Sequence, residues 1–254
     1  WAKGEAKNEG MRYSLPPMPT PLDTARIKAI SLDLDDTLWP IWPAIARAEL
    51  ALQDWLRPQA PRTAAWLADA EQRQALRREV LAERPEIGHD LRTLRQEQIR
   101  RALLRHGEDT ALVQPAYDVF ITQRMRVDLY DDARPALAWL AARYPVVAVS
   151  NGNADVQHIG LGAFFHAGLS AQEFGVGKPD PRIFHAAAEV AGVLPHEVLH
   201  VGDDAALDVL GGLQAGLQTV WVNRTGQDWP HDTAHPHATV GDMTQLCALL
   251  QAGL

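Results

Sequence analysis

Cysteine is almost missing from this sequence, with one residue, Cys247, in 254. A single cysteine cannot form a disulfide within the chain, which excludes the disulfide-stapled folds of small secreted proteins. Apolar runs of the roughly 20 residues that a membrane-spanning helix needs are missing as well. We therefore expect a protein of the reducing cytoplasm that has no membrane as a partner.

Positive charge is also in short supply, because 24 Lys and Arg residues face 32 Asp and Glu residues, for a net charge of −8. A negative surplus disfavours general binding to nucleic acid, so we expect no nucleic-acid partner. An anionic substrate would need a local positive site, such as a metal ion or a lysine. Hydrophobic residues at 46% and charged residues at 22% are typical of a globular protein.

The chain divides into three parts by composition. Residues 1–24 are expected to form a flexible N-terminal tail, because the proline-rich segment Leu15–Pro21 favours extended backbone. Residues 41–127 show helical periodicity without a strand signal, and we expect them to form an all-helical cap domain. Residues 25–40 and 128–254 are expected to form the core domain.

Apolar runs and periodic segments predict the elements of both parts. Predicted strands are Ile27–Leu34, Val146–Val149, Val198–Val201 and Thr219–Val222. Predicted helices of the cap are Glu49–Leu56, Ala64–Leu81, Asp90–His106 and Asp109–Arg126. Because strands and helices alternate in the core, the sequence predicts an α/β fold, a Rossmann-like parallel sheet with an inserted helical cap.

Polar side chains follow three of the predicted strands. They are Asp33 and Asp35, Ser150 and Asn151, and Asp203 with Asp208. Each element alone is ordinary, since Ser-Asn-Gly is more often a turn and Gly202-Asp203-Asp204 suits a helix N-cap. In a parallel sheet, however, these ends meet at one edge, where such folds bind their ligands. Oxygen ligands without His or Cys suit Mg²⁺ rather than zinc. Such an ion, with Lys178 as a further positive charge, would suit a bound phosphate.

Four motifs in this order resemble the signatures of the haloacid dehalogenase-like (HAD) hydrolases. They are Asp33-x-Asp35-x-Thr37, Ser150-Asn151-Gly152, Lys178-Pro179, and Gly202-Asp203 followed by Asp208. The resemblance implies a Rossmann-like core, a helical cap inserted after the first motif, and Mg²⁺-dependent phosphoryl transfer through an aspartyl-phosphate. It favours a phosphatase over the dehalogenase branch, which lacks a carboxylic acid at the position of Asp35.

The same resemblance implies a role for each motif residue. Asp33 would be the nucleophile, since a carboxylate with an ordinary pKa near ~3.9 is ionised at neutral pH. Asp35 would be the general acid and base, and Lys178 would offset the repulsion between Asp33 and the phosphate. The implied phosphate-binding residues are Thr37, Ser150, Asn151, Gly152 and Lys178. The implied metal ligands are Asp33, Asp35 through its carbonyl, Asp203 and Asp208.

Features of the cap and the core loops suggest the substrate. Pro85-Glu86-Ile87-x-His89-Asp90 and His200-Val201-Gly202-Asp203-Asp204 resemble bacterial FMN-hydrolysing HAD phosphatases, which also dephosphorylate 5-amino-6-(5-phospho-D-ribitylamino)uracil. That resemblance implies a riboflavin-pathway substrate. His89 and Arg92 are candidate polar contacts, although an ordinary solvated helix start with Asp90 as its N-cap is the simpler explanation. Trp39 and Trp42 either pack the hinge between core and cap or stack on a flat substrate ring.

Two alternatives remain open at this stage. The first is a HAD phosphatase for another small phosphorylated metabolite, such as a phosphosugar, phosphoglycolate or a nucleotide. The second is a non-catalytic protein that binds a phosphorylated ligand. We expect a monomer or a homodimer.

Overall fold

The computed structural model describes residues 21–253. Most of the predicted N-terminal tail, up to residue 20, lies outside the described residues. The last residues of that segment lie against the core, where Leu22 packs on the hydrophobic cluster and the backbone N–H of Asp23 donates to Oε1 of Gln218 at 2.7 Å. Across residues 21–253, no helix is both long and apolar enough to cross a membrane.

A six-stranded sheet, parallel throughout, forms the centre of the molecule. Its strands are β1 Ala29–Leu32, β2 Val146–Ser150, β3 Ala167–Ser170, β4 Val198–Gly202, β5 Gln218–Val222 and β6 Ala238–Val240. They lie in the order β3-β2-β1-β4-β5-β6, so the Rossmann-like fold class is confirmed. The sequence pattern missed β3 and β6, because both are short and only partly buried.

Helices occupy most of the remaining chain. They are α1 Ile41–Leu56, α2 Pro61–Leu67, α3 Ala70–Glu83, α4 Leu91–His106, α5 Val113–Arg124, α6 Ala133–Ala141, α7 Ala171–Phe174, α8 Pro181–Val190, α9 Gly211–Gln214 and α10 Met243–Gln251. A π-helical segment, Ala205–Leu210, leads into α9.

Two of the predicted cap helices were wrong, one because it is divided in two and one in where it begins. The expected helix Ala64–Leu81 is divided into α2 and α3, because the side chain of Asp69 caps α3 by accepting from the N–H groups of Glu71 and Gln72. Helix α1 begins earlier than expected, at Ile41. Pro43 is tolerated there because the N–H groups of a first helical turn have no partner within the helix.

Side chains of the sheet pack on both of its faces. On one face, Ile30 and Leu32 of β1 lie in a cluster with Leu137 of α6 and Leu246 of α10. On the other face, Ala29 of β1 packs in a cluster with residues of α8. Burial on both faces explains why the central strands read as continuous apolar runs rather than alternating ones. Each fully buried Leu or Ile contributes about 1.5–3 kcal/mol to stability.

A separate hydrophobic cluster joins α1 to α5. Its centre is formed by buried residues such as Leu52 and Leu56 of α1, Leu94 of α4 and Phe120 of α5. Because these helices bury their apolar faces against one another, we propose that residues 41–127 form the cap domain and that the sheet with its own helices forms the core.

The strand order brings the predicted motifs together. β1 lies between β2 and β4, with Leu32 in register with Ala148 on one side and Val201 on the other. The carboxyl ends of these three strands therefore adjoin. Residues that follow them, including Asp33, Asn151 and Asp203, reach the same edge of the sheet.

Candidate active site

Three carboxylates converge beyond the central strands. One oxygen each from Asp33, Asp203 and Asp208 lies within 4.8 Å of the others. Asp33 continues β1, since its N–H donates to the carbonyl of Val201 at 2.9 Å, and Asp203 follows β4. Asp208 lies in the π-helical segment, which returns it towards the strand end. Asp33 and Asp208 are buried, so their mutual repulsion is weakly screened.

Lys178 joins two of these carboxylates. Its buried Nζ lies against Oδ1 of Asp33 and 2.6 Å from Oδ1 of Asp208. The side chain of Asn151 holds the lysine loop from both sides, because its Oδ1 accepts from the N–H of Lys178 at 2.7 Å and its Nδ2 donates to the carbonyl at 2.7 Å. The two predicted motifs are thus tied to each other through this amide.

The protonation of the cluster follows from burial and from this single cation. Burial raises the pKa of Asp33 well above its usual range, partly offset by Lys178. Burial and the charge of Asp208 raise the pKa of Asp203 to about 7. Burial opposes ionisation of Asp208, but Lys178 and His200 outweigh it and lower the pKa of Asp208. Burial likewise opposes the charge of Lys178, and Asp208 and Asp33 outweigh it and raise the pKa of Lys178.

The raised pKa of Asp33 differs from the sequence expectation of a nucleophile that is ionised without help. Three carboxylates share one lysine, so the cluster is short of positive charge. A divalent cation would supply it and favour the ionised forms. The donor set therefore fits Mg²⁺, which takes hard oxygen ligands.

The four candidate ligands differ in how many of their oxygens are already engaged. Oδ1 of Asp208 faces Lys178 and His200, and its Oδ2 accepts from the N–H of Asp204 at 3.0 Å. The carboxylate of Asp35 is not in the cluster. Asp33 and Asp203 have the least engaged oxygens, and we propose that they hold the ion with the carbonyl of Asp35, while Asp208 anchors Lys178.

Thr37 and Ser150 lie beside the carboxylates. The buried hydroxyl of Thr37 is 3.0 Å from Oδ1 of Asp203 and 3.4 Å from Oδ2 of Asp33, so it bridges the two. Oγ of Ser150 accepts from the N–H of Gly152 at 2.9 Å, which leaves its proton available to a ligand. A Cβ at Gly152 would lie 2.5 Å from Oδ2 of Asp35, so this close approach requires glycine.

Asp35 has its own set of partners. Nη2 of Arg124 lies 2.6 Å from Oδ1 and 2.7 Å from Oδ2 of Asp35, and Nε1 of Trp39 donates to Oδ1 at 2.8 Å. Arg124 lies at the end of α5 and its side chain is 2% exposed. Trp39 is fully buried in the hydrophobic cluster of the sheet, so it packs there and does not stack on a substrate ring. These contacts fix the direction of the Asp35 carboxylate.

A cavity of about 490 Å³ opens between the cap and these groups. Asp35 and Lys178 line its core side, and His89 lines its cap side. The segment predicted to face the substrate therefore does reach the cavity. Arg92 does not line it and lies instead with its guanidinium 5.6 Å from the ring centre of Tyr117. Trp42 is 74% exposed and lines a different cavity, beside Asp203.

Sequence reasoning missed Arg124 and Arg77, the second of which also lines the 490 Å³ cavity. Arg77 lies in α3 between Arg73 and Arg78, and Arg124 ends α5 two residues before the exposed Arg126, so nothing in their local pattern separates them from solvated arginines. It also missed the role of Ser31, whose hydroxyl is 2.8 Å from Nδ1 of His200 and so orients that ring towards Asp208. The sequence does carry a signal for this role, because Ser31 is a polar residue within an otherwise apolar, buried strand.

Comparisons with known proteins agree with this geometry. The family model of the haloacid dehalogenase-like hydrolases matches residues 27–216. The chain is 34% identical over 233 residues to the 5-amino-6-(5-phospho-D-ribitylamino)uracil phosphatase YigB of Escherichia coli. The aligned region covers 89% of this chain and 97% of that protein. It is 28% identical to the N-acylneuraminate-9-phosphatase of Mus musculus, over 90% of this chain and 95% of the relative.

Solved structures include a similar molecule as well. The crystal structure of a 2-haloacid dehalogenase from Pseudomonas syringae matches with a TM-score of 0.83 and 36% identity. The match covers 90% of this chain and all of that one (100%).

Proposed function

This chain belongs to the haloacid dehalogenase-like hydrolases and is a phosphatase, and from that premise we propose that it hydrolyses phosphate monoesters through an aspartyl-phosphate on Asp33. The observation that carries the proposal is the contact of Asp33 with Lys178, which lines a cavity together with Asp35. A proton donor and a positive charge thus border one space, and the nucleophile contacts that charge directly.

The first step transfers the phosphoryl group to the enzyme. A carboxylate oxygen of Asp33 attacks phosphorus, and the bond from phosphorus to the leaving oxygen breaks. Protonated Asp35 gives its proton to that oxygen, which leaves as an alcohol. Lys178, the hydroxyl of Ser150 and the N–H of Asn151 offset the charge on the phosphoryl oxygens.

The second step releases phosphate. Asp35, now a carboxylate, accepts a proton from a water molecule that attacks phosphorus. The bond from phosphorus to Asp33 breaks, inorganic phosphate leaves, and both carboxyl groups return to their starting states. Arg124 and Trp39 hold Asp35 in one direction, so that it can serve both steps from one position.

A bound Mg²⁺ would neutralise charge on the transferring phosphoryl group and on its carboxylate ligands. Asp33, Asp203 and the carbonyl of Asp35 would hold it. Thr37 keeps the first two of these side chains together by its hydrogen bonds.

The substrate we propose is FMN or 5-amino-6-(5-phospho-D-ribitylamino)uracil. The support is the 34% identity to the E. coli phosphatase named for the uracil compound, which extends over almost the whole of both chains. A cavity of about 490 Å³ suits a leaving group of this size. A phosphosugar, phosphoglycolate or nucleotide phosphatase is the alternative, since other phosphatase relatives are named for different substrates.

A substrate panel tests the proposal. We expect Mg²⁺-dependent release of phosphate from p-nitrophenyl phosphate, FMN and the ribitylaminouracil phosphate, with EDTA abolishing it. The last two compounds should have higher kcat/KM than phosphoglycolate or glucose 6-phosphate. Chloride release from 2-chloropropionate serves as a control for the dehalogenase reaction, and none is expected because Asp35 supplies a carboxyl group. Strong turnover of a sugar phosphate without turnover of the flavin would reject the proposed substrate.

The pH dependence of Mg²⁺ binding is a further prediction. Burial and Asp208 raise the pKa of Asp203 to about 7, so below that pH the ion must displace a proton. We expect Mg²⁺ affinity to fall by at least about tenfold from pH 8 to pH 6, the effect of one displaced proton. The measurement is isothermal titration calorimetry in two buffers of different ionisation enthalpy, which counts the protons released.

Stability gives the matching control. Because the pKa of Asp203 is raised on folding, its protonated form stabilises the folded protein. This contribution is complete below the pKa of the unfolded chain, near 3.8, and is lost as the pH rises through about 7. Mg²⁺ should therefore raise the melting temperature more at pH 8 than at pH 6, and Asp203→Asn should reduce this difference to the part that the raised pKa of Asp33 contributes. Equal Mg²⁺ affinity at both pH values would contradict the assignment of Asp203 as a ligand.

A further inference from the structure

Two side chains at the end of β5 reach the loops that follow β4 and β1. Trp221, which is in register with Gly202 of β4, donates from its indole Nε1 to the carbonyl of Asp203 at 2.7 Å. Arg224 follows β5 and donates from Nε and Nη2 to the carbonyl of Thr37 at 3.1 and 2.8 Å. Both acceptors therefore belong to the backbone of residues whose side chains border the carboxylate cluster.

Arg224 borders the cavity of about 580 Å³ beside Asp203, but its guanidinium is directed mainly at the protein. Besides the contact with Thr37, Nη1 and Nη2 donate to Oδ1 and Oδ2 of Asp132 at 3.1 and 2.8 Å. The guanidinium carbon also lies 3.8 Å from the ring centre of Tyr130. A guanidinium has five N–H donors, and four hydrogen bonds to these two acceptor residues engage most of them. Arg224 can therefore act on the site through the backbone of Thr37.

The contacts of Thr37 explain why its backbone needs to be fixed. Its hydroxyl is 3.0 Å from Oδ1 of Asp203 and 3.4 Å from Oδ2 of Asp33, the two side chains proposed to hold Mg²⁺. When both are ionised, these carboxylates repel each other and tend to move apart. Mg²⁺ demands near-ideal octahedral geometry and tolerates little change in the positions of its ligands. Anchors on the backbone of Thr37 and Asp203 keep both carboxylates close to the position of the ion.

We propose that Trp221 and Arg224 are positioning residues for the Mg²⁺ site. They hold the carbonyls of Asp203 and Thr37, and thereby keep the two carboxylate ligands in place for the ion. The inference rests on the proposed function, which gives these carboxylates their roles as nucleophile and metal ligand. It predicts that a variant without either donor binds Mg²⁺ more weakly while it is still folded. A merely structural contact would lower the melting temperature and leave the affinity of the folded protein for Mg²⁺ unchanged.

The first test compares Trp221→Phe with Trp229→Phe. Trp221→Phe keeps an aromatic ring and removes the donor to Asp203. Trp229 is a matched control, because its Nε1 donates to the carbonyl of Ala234 at 2.8 Å and its ring centre is 5.1 Å from that of Trp221. By isothermal titration calorimetry at pH 8, the Kd of Trp221→Phe for Mg²⁺ should be about tenfold higher, the lower end of the usual cost of losing an outer partner of a metal site. Trp229→Phe should differ from the wild type by less than about twofold, since the bond that it loses supports no ligand.

Arg224 gives a second test, in which charge and positioning have opposite effects. Removing a positive charge near a cation site would by itself strengthen Mg²⁺ binding. We expect Arg224→Met to weaken it instead, by about 10- to 100-fold, because the Thr37 carbonyl loses its anchor. Arg224→Lys keeps the charge, but its single nitrogen cannot span both Thr37 and Asp132, so it should recover only part of the loss. Circular dichroism at the titration temperature checks that each variant is folded.

The outcomes separate this inference from the proposed function. If Trp221→Phe and Arg224→Lys bind Mg²⁺ as tightly as the wild type, the two residues are only structural, and the inference is overturned while the proposed function stands. These two variants decide alone if Arg224→Met is unfolded. Tighter Mg²⁺ binding by Arg224→Met also overturns it, because only the charge would then matter. Equal weakening in Trp221→Phe and Trp229→Phe does the same, since the effect would belong to the whole loop. A wild type that neither binds Mg²⁺ nor hydrolyses any phosphate ester would instead reject the proposed function.

Discussion

Replacing Asp33 with Asn lowers kcat for every phosphate ester by at least about 10⁴-fold, the scale of losing a covalent nucleophile. Asn keeps the size of the side chain and can still accept from Lys178, but its amide does not attack phosphorus at a useful rate. The loss should be the same for p-nitrophenyl phosphate and for FMN, because both reactions need the same nucleophile. Steady-state phosphate release with Mg²⁺ present is the measurement.

The stability of this variant gives an independent check. Burial raises the pKa of Asp33, so the folded protein is less stable with this carboxylate ionised than with a neutral side chain. Without Mg²⁺ at pH 8, Asp33→Asn should melt at the same or a higher temperature than the wild type. Asp54→Asn, at an exposed residue of α1, should leave both activity and melting temperature unchanged. Full activity in Asp33→Asn would contradict the mechanism.

Replacing Lys178 with Met should impair both turnover and folding. The change leaves Asp33 and Asp208, both buried, facing each other without the cation between them. Breaking a buried ion pair in this way costs about 3–5 kcal/mol of the free energy of unfolding. We also expect kcat to fall by about 10³-fold, since Lys178 offsets the charge of the phosphoryl group. Urea unfolding at pH 7.5 and the phosphatase assay measure the two effects.

A surface lysine provides the control for this change. Lys28 is 61% exposed on its side chain and pairs with Glu197, so Lys28→Met should cost less than about 1 kcal/mol. The deficit of Lys178→Met should shrink as the pH falls, because protonation of the two carboxyls removes their repulsion. A variant as stable as the wild type at pH 7.5 would show that Lys178 is not the partner of the buried carboxylates.

The core of the site could be predicted because its chemistry follows a rule of the fold. Asp33, Asn151 and Asp203 come directly after apolar runs, and ends of parallel strands meet at one edge. β1 lies between β2 and β4, so these three strand ends are neighbours. Local sequence was therefore enough to identify residues that are 52 to 170 positions apart.

The environment of these residues could not be predicted in the same way. Arg124 contacts Asp35 although the two are 89 positions apart, and that contact depends on how the end of α5 returns to the sheet. Arg77 lines the cavity and the adjacent Arg78 does not, a difference that depends on how α3 packs in the folded chain. The expectation that Asp33 is ionised rested on the pKa of an isolated side chain. Burial among other carboxylates raises that pKa in the folded protein.

The short elements were missed for a related reason. β3 and β6 are held by pairing to one neighbour at the two edges of the sheet, rather than by an apolar pattern of their own. The break between α2 and α3 depends on Asp69, whose side chain could equally have pointed to solvent within a longer helix.

Trapping of the phosphorylated enzyme tests the central claim most directly. Asp35→Asn removes the base of the second step, while p-nitrophenyl phosphate, with its good leaving group, needs no acid in the first. Acid quenching of this variant after mixing with ³²P-labelled p-nitrophenyl phosphate should therefore give a stoichiometric label that hydroxylamine removes. Peptide mapping should locate that label on Asp33, and Asp33→Asn should remain unlabelled. Turnover without any labelled protein, or a label on another residue, would contradict the account.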